Sequence, residues 1–126
     1  MYKKVLVSEL IDEGQRLLET LRRNRFPITS ALWHYIPDSL EWRLVIVSSA
    51  VEHSGPMAAY GRVQRALGSI DVLRVALSDI VLIGPNSQEY QALRKVVGAP
   101  GRFSGTVPLA PPLHNVVFED DYVYRV

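Results

Sequence analysis

Twice in this chain an apolar run passes through a short polar turn into a helix start, over residues 48–56 and again over 84–87. A strand that is followed by a helix and then by a neighbouring strand of the same sheet must run parallel to it, because a tight hairpin cannot make that connection. The runs before the two turns, Trp42 to Val47 and Asp79 to Ile83, are therefore expected to be parallel neighbours, with both helix N-termini opening on one sheet edge.

The elements around these units follow from periodicity. Val7, Leu10, Ile11, Gly14, Leu17, Leu18 and Leu21 recur at three- and four-residue steps, which places them on one helix face. Acidic residues early in that segment and Arg16, Arg22 and Arg23 late in it complement the helix dipole. Gly14 lies on the apolar face, where glycine costs about 1 kcal/mol against alanine, so a closely packed neighbour is expected there. Asn24 to Pro27 stops the helix. Ile28 to Ile36 and Trp42 to Val47 are rich in β-branched and aromatic residues and flank the turn-like Pro37-Asp38-Ser39-Leu40-Glu41, which predicts a β-hairpin.

Ser54-Gly55-Pro56 predicts the start of a second helix with a buried stripe of Tyr60, Val63 and Leu67, ended by a left-handed Gly68. Residues 69–77 read equally as helix extension or short strand. Asn86 with Glu89 three residues on matches a capping box ahead of a third helix, lined by Tyr90, Leu93 and Val97 and closed by Gly98. Strands are expected at Arg102 to Val107 and within Asn115 to Val126, with loops at Ala99 to Gly101 and Pro108 to Pro112. These elements give an α+β fold or small α/β sandwich, a mixed sheet of four to six strands with three helices in the order α-β-β-α-β-α-β-β. Without a linker or repeat, residues 1–126 read as a single compact domain.

Composition narrows the function. Fourteen basic and 13 acidic residues leave a net charge of +1, so there is no global field to draw in nucleic acid or an anionic membrane. The absence of cysteine removes disulfides, thiolate metal sites and cysteine nucleophiles, and it points to a reducing, cytoplasmic setting. The N-terminal apolar stretch is broken by Ser8, Glu9, Asp12 and Glu13, which does not fit a signal peptide, and no run is long enough to cross a membrane.

The shared sheet edge is the place where topology alone suggests a site. Unpaired N–H groups at helix starts favour a phosphate or carboxylate, and Ser49, His53, Ser54, Asn86 and Ser87 would line such a pocket for a small anionic ligand. The same residues also serve as ordinary helix caps. As a histidine, His53 could act as a general base or an anion partner, but it has no second histidine at metal-ligand spacing, and His34 and His114 stand far away in sequence. Asp38 with Glu41-Trp42-Arg43 has the composition of a metal nuclease site, but the residues crowd into a turn and arginine stands where a proton-shuttling lysine is needed.

Glu119-Asp120-Asp121 alternates between faces if it is a strand, so the three carboxylates cannot share an ion, and an acidic turn or charged sheet edge is expected instead. No metal and no cofactor is called for. Arg22, Arg23 and Arg25, with Arg62, Arg65, Arg94 and Lys95, would bind nucleic acid only if they converged in space. On the hairpin, Trp33 and Tyr35 share one face while Leu32, His34 and Ile36 share the other, so neither face is plainly polar. One face is expected to pack on the first helix and the other against further protein. A non-catalytic binding or assembly module, with a protein partner or self-association, is the leading expectation. An enzyme or ligand-binding domain for a phosphorylated or nucleotide-like small molecule at the strand-to-helix edge is the second, and nucleic-acid binding through the helix arginines the third.

Overall fold

The computed structural model describes residues 6, 8–36, 40–71, 74–94, 101–107 and 116–125, with only the backbone described at 101–107 and 116–120. Helix α1 (Ser8–Arg23) leads into strands β1 (Ser30–Ile36) and β2 (Glu41–Val47). A short helix α2 (Ala50–Ser54), helix α3 (Pro56–Gly68), strand β3 (Ile80–Ile83), helix α4 (Gln88–Arg94) and strands β4 (Gly101–Val107) and β5 (Val116–Val123) follow. The five strands form one mixed sheet in the order β3-β2-β1-β5-β4. Its β2/β3 pair is parallel, Leu44 opposite Ile80 through Val47 opposite Ile83, and the other pairs are antiparallel. The fold is α+β.

Strand alternation sends two different residue sets to the two sheet faces. Ala31, Trp33 and Tyr35 from β1, Trp42, Leu44 and Ile46 from β2, and Ile80 and Leu82 from β3 bury against Leu17, Leu18 and Leu21 of α1 and Ala59, Val63 and Ala66 of α3. This is the main core. On the second face, Leu32, Val45 and Val123 meet Ala92 and Leu93 of α4, with Val81 and Ile83 half-buried beside them. The hairpin thus has the two-sided character expected of it, with α4 packed on its second face.

Side-chain hydrogen bonds tie the helices to the sheet and to the segment that leads into β3. Tyr124 Oη donates to the Ile11 carbonyl of α1 (2.7 Å) and accepts from Trp33 Nε1 (2.8 Å), so the chain beyond β5 is fastened to both layers. Buried Glu13 of α1 accepts the backbone N–H groups of Arg74 and Val75, each at 3.0 Å. Tyr60 Oη of α3 accepts the Leu82 N–H (3.0 Å), which occupies a ladder donor that β3, as an edge strand, would otherwise present to solvent.

Several local expectations are corrected. Among the described residues there are four α-helices, because the polar turn after β2 winds into α2 before Gly55, at φ +85°, redirects the chain into α3. Gly68 stays helical and Ser69 caps α3 in a right-handed conformation, its N–H bonded to the Ala66 carbonyl and the following Ile70 N–H to the Leu67 carbonyl. The buried stripe of α3 runs through Ala59, Val63 and Ala66, with Tyr60 and Leu67 at its margins. Between Ser69 and Leu77, the described residues form neither helix extension nor strand, and a single 3-10 turn follows at Leu77–Asp79. Ser87, not Asn86, caps α4: its Oγ accepts the Tyr90 N–H (3.2 Å). The acidic run at 119–121 is neither a turn nor a sheet edge, since β5 passes through it between β1 and β4. The hairpin tip at 37–39, the expected end of α4 past Arg94 and the loop at 108–112 lie outside the described residues.

Candidate binding cleft on the second sheet face

A row of polar side chains crosses the second face at its centre. His34 of β1 lies opposite Arg43 of β2, and β5 brings Asp121 to its other side, one position beyond the Trp33–Tyr122 pair. His34 Nδ1 stands 2.6 Å from Asp121 Oδ2. The second oxygen, Oδ1, accepts the Tyr35 backbone N–H at 3.3 Å. Asp121 is completely buried, so these bonds to its carboxylate are what make burial tolerable. They also continue the β1/β5 contact where the register pairs stop at Trp33.

Beside this row lies an open cleft of about 190 Å³, lined by His34, Ile36, Arg43, Val45, Val81, Ile83, Glu89 and Leu93. Its floor is formed by the outward-alternating residues of β2 and β3, its wall by Leu93 of α4, and its polar rim by His34, Arg43 and Glu89. The arrangement follows from sequence parity: Val45 and Arg43 share a face of β2, as Val81 and Ile83 do on β3. Ala92 and Leu93 of helix α4 pack on that face against Leu32, Val45 and Val123, and the cleft lies beside this contact.

The charges at the rim are unequally satisfied. The Arg43 guanidinium pairs with the Glu41 carboxylate through Nη2 and lies 4.0 Å from Asp79 Oδ1 through Nη1. Glu89, exposed on α4, has no ion-pair partner among the described residues. The His34–Asp121 pair carries one negative charge when the imidazole is neutral and none when it is protonated. Among the described residues lining the cleft, the one arginine, Arg43, is already paired.

The sequence-predicted edge is real in its topology. The parallel β2/β3 pair brings the turn after β2 next to the turn after β3, and Ser48 N–H donates to the Ile83 carbonyl (2.9 Å). Ser49 is the N-cap residue of α2 but makes no side-chain capping bond, while His53 and Ser54 end that helix and are exposed. Ser87 Oγ bonds within its own turn, to the Gly84 carbonyl at 2.7 Å. Asn86 is held by Glu52 of α2, whose carboxylate accepts its backbone N–H (3.0 Å) and side-chain amide (3.1 Å). The protein's own anion therefore sits on the donors that an incoming phosphate would use.

The basic residues divide between layers. Arg62 and Arg65 of α3 line a depression with Asn24, where Arg62 donates to the Asn24 carbonyl (3.3 Å) and stacks 4.8 Å from the Phe26 ring centroid. Arg22 donates to the Arg125 carbonyl. Arg94 belongs to α4, on the opposite face of the sheet, so it does not join them. Among the described residues, no group of three or more histidine or acidic side chains is gathered as a metal ion would require. None of their helices is long and apolar enough to cross a membrane.

Sequence reasoning singled out neither His34 with Asp121 nor Glu89 as a site. Eighty-seven residues separate the first pair, and only the antiparallel β1/β5 neighbourhood brings them together. No protein-family model matches the chain, and comparison with curated proteins and with solved structures likewise finds no match.

Proposed function

We propose that this domain is a non-catalytic protein-binding module that seats one apolar side chain of a partner in the cleft between α4 and the second sheet face. The observation that carries this reading is the apolar floor of Val45, Val81 and Ile83 in a cleft beside Leu93 of α4. Pockets that enclose whole small ligands usually measure roughly 300–1,000 Å³. A cleft of about 190 Å³ falls below that range and suits a single anchor residue of a protein partner, the kind of contact that dominates binding energy at interfaces. The polar rim matches the rest of such a surface, in which hydrogen-bonding groups surround an apolar centre. A cysteine-free chain of this kind suits the cytoplasm.

The test uses N-acetyl-leucine amide as a minimal anchor and reads its binding by saturation-transfer NMR. The reading predicts saturable binding to the wild-type chain and its loss in Val81→Trp, whose indole fills the cleft. No binding to the wild type, or binding unchanged in the variant, would contradict it. Sedimentation of the same two proteins addresses a second copy as the occupant: a concentration-dependent dimer abolished by Val81→Trp would replace the foreign partner with self-association.

A further inference from the structure

We infer that the partner segment carries a lysine or arginine next to the apolar residue it seats in the cleft, with Glu89 as the counter-charge. This rests on the cleft being the binding surface and specifies the chemistry of what binds there. Three observations bear on it. Arg43, the single arginine lining the cleft, is engaged by Glu41 and lies near Asp79, so its charge is already answered within the protein. The His34–Asp121 pair contributes either one negative charge or none, and never a net positive one. Glu89 lines the same cleft, is exposed, and has no ion-pair partner among the described residues.

Among the described residues that line the cleft, the charge left without a counter-ion is the carboxylate of Glu89. An acidic group on the partner would meet like charge, whereas a basic one would find a carboxylate within reach of a side chain anchored on the floor. Glu89 is exposed on the first turn of α4, where a cation can approach it from solvent. An exposed pair of this kind contributes modest affinity but clear discrimination, about threefold to fivefold at low salt, and it weakens as ionic strength rises. Selection against an acidic segment adds to that difference because repulsion replaces attraction.

The experiment titrates the full chain with three blocked dipeptides, N-acetyl-Leu-Lys-amide, N-acetyl-Leu-Gln-amide and N-acetyl-Leu-Glu-amide, and follows backbone amide shifts by NMR. The expected order of affinity is Lys, then Gln, then Glu, with at least a threefold step between Lys and Glu in 20 mM salt that shrinks in 500 mM. In Glu89→Gln the three peptides should bind alike. Equal binding of all three to the wild type, or a lysine preference that survives Glu89→Gln, would overturn the charge selection while leaving the cleft as the binding surface. Failure of every peptide to shift the amides of Val45, Val81 and Ile83 would instead overturn the cleft reading itself. Glu89 is exposed, so its replacement leaves the fold intact, and the unchanged amide spectrum of the free variant verifies that.

Discussion

The Tyr124 hydroxyl sits directly over Gly14, 2.2 Å from where a β-carbon would be, while it bonds Trp33 Nε1 and the Ile11 carbonyl. Helix, sheet and C-terminal strand meet at that point. The glycine that local propensity disfavours on an apolar helix face is required by this approach. Gly14→Ala gains about 1 kcal/mol of helix propensity. It loses more, because the phenol ring and Trp33 Nε1 also lie within 3.1 Å of the added atom and are packed in the core. A net destabilisation of about 1–3 kcal/mol is expected from overpacking and broken hydrogen bonds. Tyr124→Phe should cost about 1–3 kcal/mol by leaving the buried Trp33 Nε1–H without its acceptor. The double variant should be less destabilised than the sum, since the missing hydroxyl makes room for the alanine, and urea unfolding of all four proteins measures the coupling.

Burial raises the Tyr124 hydroxyl pKa well above its ordinary value near 10. The bond from Trp33 pulls it down, and Tyr122 and Asp12 push it further up. Because the folded-state value is the higher one, the associated stability is fully present below pH about 10 and is lost as pH rises from there toward the folded-state value. Wild-type stability should therefore fall between pH 9.5 and 11 more steeply than that of Tyr124→Phe, by up to about 1.4 kcal/mol per pH unit. Denaturant midpoints at matched ionic strength across that window would show it, and parallel curves would contradict it.

The carboxylate of Asp121 accepts, so Nδ1 of a neutral His34 carries the hydrogen. In Asp121→Asn the amide can turn its NH₂ toward Nδ1, which then accepts, and the hydrogen moves to Nε2. ¹⁵N shifts of the imidazole should report that exchange of tautomer at pH 8. Asp121→Ala should destabilise the fold by about 2–4 kcal/mol, since it removes a buried carboxylate that serves His34 and the Tyr35 N–H.

Arg25 closes α1 at φ +61°, with the Phe26 N–H bonded to the Leu21 carbonyl and its own N–H to Arg22, the pattern of a Schellman cap whose left-handed position favours glycine. Arg25→Gly should stabilise the protein by about 0.5–1 kcal/mol, read as a shifted urea midpoint at unchanged slope.

Tyr60→Phe removes the acceptor on the outer side of β3. Hydrogen exchange of the Leu82 amide should accelerate about tenfold, whereas Ile46 on the interior strand β2 should be little affected.

Where one element dictated its own form, the sequence was a sufficient guide. The α1 spacing, the hairpin and the parallel β2/β3 pair follow from periodicity and connection rules, and each appears in the structure. Gly14 was legible as a close approach, though not which residue makes it. The turn after β2 was less legible because Ala50 to Ser54 is too short to show a period, and Gly68 resembled a stop that Ser69 makes unnecessary. The cleft depends on strands distant in sequence lying side by side. Its signal was present only as parity, with His34 on the less apolar hairpin face and Asp121 sharing a strand face with buried Val123.

The binding surface is examined most directly by methyl NMR of the wild-type chain titrated with N-acetyl-leucine amide. Saturable shifts are predicted at the methyls of Val45, Val81, Ile83 and Leu93, with those of Leu17, Leu18 and Val63 on the opposite face unmoved. Shifts confined to the opposite face, or none at the four cleft residues at tens of millimolar probe, would contradict it.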